Sequence, residues 1–414
     1  MILHRPRNMS AHRAAVRQLP LFAVRVPGVT MHTTGLAEPI GRLYEGERLA
    51  PALREARART LALYGHLDLA TLRVPMIPIV NPPLWELAHV AWFQETWCLR
   101  YSRLSDGPAR GSIFEGADRL FDSSAVPHAT RWDLDLPSPA GVQAYMANTL
   151  ELTLAALATA PRDDRYFFEL ALLHEDMHGE AFLMTLQTLG LPAPDLPGAP
   201  ALRPSPARRP ARDVAFEGGR FAMGTAPGCN RFVFDNEKWE HEVDVAPFAI
   251  STRVVTQGEY ARFAHDRGAG IPEHWRREGG EWQVRWFDQW VPLDPDAPMV
   301  LVSQEDAAAY CRWARRRLPT EAEWELAALA GNAALEDMIG GVWEWTSSPF
   351  EPYPGFHADP YEDYSEPWFG THRVMRGGSF FTRERLVHPR LRNFYRPERA
   401  DVFAGFRTCA LDDA

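Results

Sequence analysis

The stretch from 191 to 212, LPAPDLPGAPALRPSPARRPAR, limits the fold more than any other part of the chain. Proline fixes φ and removes a backbone donor, so neither a helix nor a central strand can run through such a segment. It reads as an extended linker and a domain boundary. At 414 residues the chain is in any case too long for one ordinary core. The expected layout is a poorly ordered extension over 1–35, a first domain over 36–190, the linker over 191–212 and a second domain over 213–414.

The two sides of the linker carry different patterns. Upstream, IGRLYEGERLAPALREARARTLALYGHL repeats aliphatic residues at three- and four-residue intervals. PPLWELAHVAWFQETWCLRY opens with prolines suited to a first helical turn, SPAGVQAYMANTLELTLAALATA begins at a serine cap, and RDDRYFFELALLHEDMHGEAFLMTLQTLG stops at Gly190. Four long helices, with a loop over 104–137 among their connections, predict an antiparallel four-helix bundle. Downstream, short apolar runs alternate with Gly, Pro and Asp turns. Helices are expected near 256–266, over 303–315 and from LPTEAEWELAALA onward, giving an irregular α+β domain rich in loops.

Charge and cysteine usage narrow the function. A formal net charge of −10 argues against a nucleic-acid binder, which wants a basic face. Lys238 is the single lysine among 44 basic residues. Cys98, Cys229, Cys311 and Cys409 lie far apart with no C-x-x-C pair, which fits a reducing cytoplasm and not a disulfide framework. No stretch approaches the ~20 apolar residues of a membrane span, and LPLFAVRVPGV, broken by Arg25, makes a poor signal peptide. A monomer or small homo-oligomer, with no membrane or nucleic-acid partner, is expected.

The segment LLHEDMHGEAF, 172–182, contains His-Glu-x-x-His. His174 and His178 stand at i and i+4, so both imidazoles leave one face of the fourth long helix. His89, in WELAHVAWFQE, shares a face with Trp85 and Trp92 and so points into the bundle, where facing helices can build a metal site. The alternative for each is a histidine satisfied within an apolar core. A zinc peptidase would need a third ligand soon downstream, but the chain runs from His178 through GEAFLMTLQTLG into the linker, and the next histidine is His241. The peptidase match is coincidental.

WELAHVAWFQE followed by HEDMHGE resembles the DinB-like domain of the sulfoxide synthases of ergothioneine biosynthesis. GGRFAMGT, FAISTRVVTQGEYARF, RLPTEAEWELAA, GGVWEWTSS, RVMRGGSF and AGFRTC resemble the formylglycine-generating-enzyme domain, a C-type-lectin-like fold. The resemblance covers roughly 40–410 and implies a DinB-like four-helix bundle followed by an α+β formylglycine-generating-enzyme-like domain.

It also implies a chemistry. Members of this family are non-haem iron(II) enzymes that use O₂ to bond sulfur to C-2 of the imidazole of hercynine. Their three iron-bound histidines match His89, His174 and His178. Glu180 matches the last residue of the H-x-x-x-H-x-E pattern and is expected to steady a ligand. Tyr353, in PFEPYPGF, is expected as the tyrosine of the second domain that gives a proton as O₂ is reduced, and Asn393, Phe394 and Tyr395 of RNFYRP are expected to contact hercynine. Three positions depart from the best-known members. Met177 stands where a glutamine can touch the substrate imidazole, Tyr395 replaces an aspartate, and His128 and Arg131 match a pair of arginines that clamp the carboxylates of γ-glutamylcysteine. One fixed cation fewer points to a less anionic donor, which favours the related selenoneine synthases and their neutral selenosugar, with a thiol donor (cysteine or γ-glutamylcysteine) as the alternative. The copper-dependent formylglycine-generating activity needs two nearby cysteines after RGGSF, and TRERLVHPRLRNFYRP has none.

Overall fold

The computed structural model describes residues 48–101, 110–161, 164–195, 205, 208, 210–229, 231–268 and 270–411. The expected extension over 1–35 lies outside the described residues. The N-terminal half consists of α1 (Leu49–Tyr64), α2 (Pro83–Glu95), a short α3 (Ala117–Phe121), α4 (Pro139–Leu157) and α5 (Arg165–Leu189). Pro83 starts α2 at the position where a missing N–H costs nothing, and α2 runs on into a π-helical turn over Thr96–Arg100. Ser138 caps α4 by accepting a bond from the Gly141 amide at 3.2 Å.

The four long helices pack as a bundle, α1 on α5 and α2 on both α4 and α5. Gly179 makes the α1–α5 contact close, since an added Cβ there would stand 3.4 Å from Leu63 Cδ1. Next to it Tyr64 stacks on Phe182 at 3.5 Å.

The C-terminal half begins with β1 (Asp213–Phe216), β2 (Gly219–Met223), β3 (His241–Val245) and β4 (Phe248–Ser251). It continues through α6 (Gln257–Arg267), β5 (Trp275–Glu278), β6 (Glu281–Trp286), β7 (Gln289–Pro292), α7 (Gln304–Ala314), β8 (Arg316–Arg317) and α8 (Glu321–Leu329). The last strands are β9 (Trp343–Pro349), β10 (Arg373–Arg376), β11 (Asn393–Tyr395), β12 (Ala404–Gly405) and β13 (Cys409–Ala410). Capping boxes start all three helices: Thr256 with Glu259, Ser303 with Asp306 and Thr320 with Glu323. The strands form small sheets in the orders β1-β4-β13-β8 and β11-β10-β9-β12, with a β2-β3 pair and a β5-β6-β7 meander. This is an all-α domain followed by an α+β domain.

The halves share one core. Trp85, Phe93, Phe182 and Leu186 of the bundle belong to the same apolar cluster as Trp343, Phe381 and Phe403. The end of α5 is received by β6: Arg285 donates to the carbonyls of Gln187 and Thr188 at 2.6 and 3.2 Å, and Gln187 bonds the backbone of Arg285 and Phe287. Ser205 and Arg208, from the proline-rich stretch, bond Asp294 and Asp296 through their backbone amides. Among the described residues no helix is long and apolar enough to cross a membrane.

Candidate metal and substrate site

His89 is 3% exposed and sits between two indoles, Trp85 at 5.0 Å and Trp92 at 5.7 Å. Its Nδ1 lies 2.8 Å from the carbonyl of Phe121, at the end of α3. A carbonyl only accepts, so Nδ1 carries the proton and Nε2 keeps its lone pair. His178 repeats the device, its Nδ1 being 2.8 Å from Oε1 of Glu86, one turn before His89 on α2. His174 stacks on Phe93 at 3.5 Å, and its Nδ1 is buried without a hydrogen-bond partner.

The ring centroids of the three histidines are 4.5–5.2 Å apart, and one nitrogen from each falls within 4.8 Å of the others. Burial pushes His89 down to about 3 and His174 well below the usual imidazole range, with the neighbouring histidine reinforcing both. The imidazoles of His89 and His174 are therefore neutral at pH 7. Converging lone pairs, two tautomers fixed by acceptors and one buried nitrogen without a partner fit a divalent transition-metal ion held from one side.

The second half reaches over this centre through the connection between β9 and β10. Tyr361 points its ring at the bundle, 5.0 Å from Phe93, 5.9 Å from Trp97 and 6.4 Å from His174. The Tyr364 hydroxyl contacts Met177 Sδ at 3.8 Å, and its ring stacks on Phe234 at 4.4 Å. Burial, then nearby carboxylates, raises both phenols, so each holds its proton at neutral pH. Trp97, Tyr101 and Phe167 continue the aromatic wall. Tyr395 is raised to about 12, first by burial; the Arg399 guanidinium, 4.9 Å over its ring, works against this, and the charges of Glu180 and Glu86 add to it. Phe394 stacks on Phe350 at 3.9 Å with Tyr364 5.9 Å away, and the Asn393 side chain accepts the Phe394 amide at 2.8 Å.

Three expectations change. Tyr353 is not the tyrosine beside the histidines. It packs against His241 at 4.5 Å and under the Arg392 guanidinium at 4.1 Å, inside its own domain. The chain turns at Pro354-Gly355, with Gly355 at φ 76° and the Phe356 amide bonded to the Tyr353 carbonyl, and it is Tyr361, further along, whose ring meets the bundle.

Glu180, expected to steady a ligand, hydrogen-bonds with the second domain. Its carboxylate accepts from Trp343 Nε1 at 2.9 Å, Ser379 Oγ at 2.5 Å and Thr382 Oγ1 at 2.7 Å. Two residues beyond His178 means roughly 200° around the helix, facing the second domain. The carboxylate bonded to one of the three histidines is Glu86. The sequence signal for it was an acidic residue three before His89 on an otherwise apolar helix face.

Arg131 and His128 are committed locally. Arg131 bonds Asn81 Oδ1 at 2.8 Å and the carbonyls of Ser123 and Val126, and lies 4.0 Å over Trp85. His128 Nε2 bonds the Val80 carbonyl at 2.7 Å. Both act as braces for the connection between α3 and α4.

Comparison with known proteins accounts for both halves. Residues 52–187 match the model of the DinB superfamily, and residues 199–336 and 332–411 match the sulfatase-modifying factor enzyme 1-like domain. The hercynine oxygenase of Mycobacterium tuberculosis is 34% identical over 87% of this chain and 98% of its own length. That of Mycolicibacterium smegmatis is 33% identical over 87% and 98%. Ergothioneine biosynthesis protein 1 of Schizosaccharomyces pombe is 24% identical over 80% of this chain and 52% of its own. With both domains in the same order and near-complete coverage, the chain belongs to the hercynine oxygenase family and is an oxidative enzyme.

Proposed function

We propose that the chain is a non-haem iron(II), O₂-dependent enzyme that bonds selenium from a selenosugar to C-2 of the hercynine imidazole. The observation that carries this reading is the convergence of His89, His174 and His178 beneath Tyr361, a residue of the other domain. Bound iron(II) would supply the one-electron chemistry that lets O₂ react with closed-shell substrates.

The chain's own part is positioning and proton supply. The Phe121 carbonyl and Glu86 hold two imidazoles in the tautomer that leaves Nε2 free. Tyr361 keeps its proton, and with its ring 6.4 Å from that of His174 it is the residue assigned in this reading to give that proton as O₂ is reduced. The rings of Trp97, Tyr361 and Phe167 offer faces for the trimethylammonium group, and Met177, Asn393, Phe394 and Tyr395 are further candidates for contact with hercynine. In this reading the bundle supplies the metal ligands and the second domain the substrate wall, in a cytoplasmic monomer or small homo-oligomer.

The donor assignment rests on Arg131 and His128. Their hydrogen bonds go to Asn81 and to backbone carbonyls, so these two positions do not offer the carboxylate clamp that γ-glutamylcysteine would use. A neutral selenosugar needs no clamp, and a selenol ionises more readily than a thiol. The names of the relatives favour a second reading, an ergothioneine sulfoxide synthase using cysteine or γ-glutamylcysteine. Iron-loaded protein, hercynine and O₂ incubated with each donor decides between them. Turnover with the selenosugar far above both thiols is the expected result; a preference for either thiol replaces the selenium reading with the sulfur one.

A further inference from the structure

Lys238 is the chain's single lysine, and it lies where the halves meet. Its Nζ is 2.6 and 2.7 Å from the two oxygens of Asp359, both side chains being largely shielded. The Tyr166 hydroxyl, from the first turn of α5, donates to the same carboxylate at 2.8 Å. Asp359 is two residues before Tyr361, and Tyr166 is eight residues before His174 on one continuous helix. The ammonium sits between the Tyr166 and Trp239 rings, 5.9 and 5.4 Å from them. The far end of the segment is fixed as well: Ser365 is fully buried, donates to Asp235 and accepts from Asn236, and Asp363 accepts from Ser124 of the bundle.

We propose that Lys238 is a positioning residue that acts through Asp359 and Tyr166, setting the distance between Tyr361 and the histidine-bearing face of α5. The ammonium touches no reacting atom. It neutralises and fixes the carboxylate that Tyr166 of α5 also bonds, so that Asp359 keeps one position against α5. This rests on the reading of Tyr361 as proton donor, so the test carries an arm that needs no turnover.

The full-length chain is labelled with 3-fluorotyrosine and loaded with diamagnetic zinc(II), and the Tyr361 fluorine resonance is assigned by its loss in Tyr361→Phe. In Lys238→Met and Asp359→Asn this resonance should shift and broaden, while that of Tyr310, buried in α7, stays in place. In the iron-loaded enzyme, kcat should fall about ten- to a hundred-fold with KM for hercynine within about two-fold, the pattern of a displaced reacting group. A Tyr361 resonance unmoved in both variants overturns the proposal, whatever the variants do to stability. A wild-type enzyme that fails to turn over hercynine overturns the proposed activity and leaves the resonance arm to decide the positioning role by itself.

Discussion

Glu86 is 2% exposed, and its bond to His178 sets which nitrogen of that ring faces the centre. Removing the carboxylate charge while keeping its shape isolates that role. Glu86→Gln should weaken metal binding about 10- to 100-fold, read by competition with a chromogenic chelator. Glu180→Gln should leave metal affinity near wild type. The two tyrosines separate in the same manner. Tyr361→Phe should lower kcat by about a hundred- to a thousand-fold in an O₂-consumption assay. Tyr353→Phe should keep turnover, because Tyr353 is buried among His241 and Arg392 and its hydroxyl has no partner to lose. At this scale the histidines were legible in the sequence because helical periodicity alone puts 174 and 178 on one face. Tyr361 was not, since residues 350–372 form an irregular connection with no period to read, and nothing local in the sequence tells Tyr361 from Tyr353.

Among the elements, α5 is gripped on two flanks. One carries His174, Met177 and His178 toward α2 and Tyr364. On the other, Asp176 pairs with Arg385, and Glu180 accepts its three bonds from the second domain. Its end is closed by Gly190 at φ 65°, where an added Cβ would stand 2.8 Å from Arg285 Nη1. Gly190→Ala should therefore cost about 1–2 kcal/mol, visible as a lower urea midpoint with an unchanged slope. Cap residues and Gly190 made the helices readable, as Thr256, Ser303 and Thr320 did in the second half. The long connection after α2 was less so: α3 is only five residues, too short for a periodic signal, yet its last carbonyl fixes the tautomer of His89.

For the molecule as a whole, the shared core and the clasp of Arg383 and Arg385 on Glu55 and Asp176 make the halves interdependent. Calorimetry of the intact chain should show one cooperative transition, whereas two independent domains would give two. Acid should weaken the fold. His274 is buried, and that burial, with Arg285 nearby, lowers it to about 3. Between that value and the ordinary imidazole pKa near 6.5, the unfolded chain binds a proton that the native one refuses, so stability falls as pH drops from 7 toward 5. In His274→Gln the dependence of melting temperature on pH over that range should flatten.

The crowding of functions onto residues 174–180 limits how this enzyme can change. Inserting or deleting one residue there would rotate the downstream half by roughly 100°, unseating the ligand pair and the latch to Ser379, Thr382 and Trp343 together. Variation in that stretch is thus confined to like-for-like replacement. The connection at 122–131 carries none of the three histidines and no helical period to keep, and there a lineage has more room to vary around an unaltered centre.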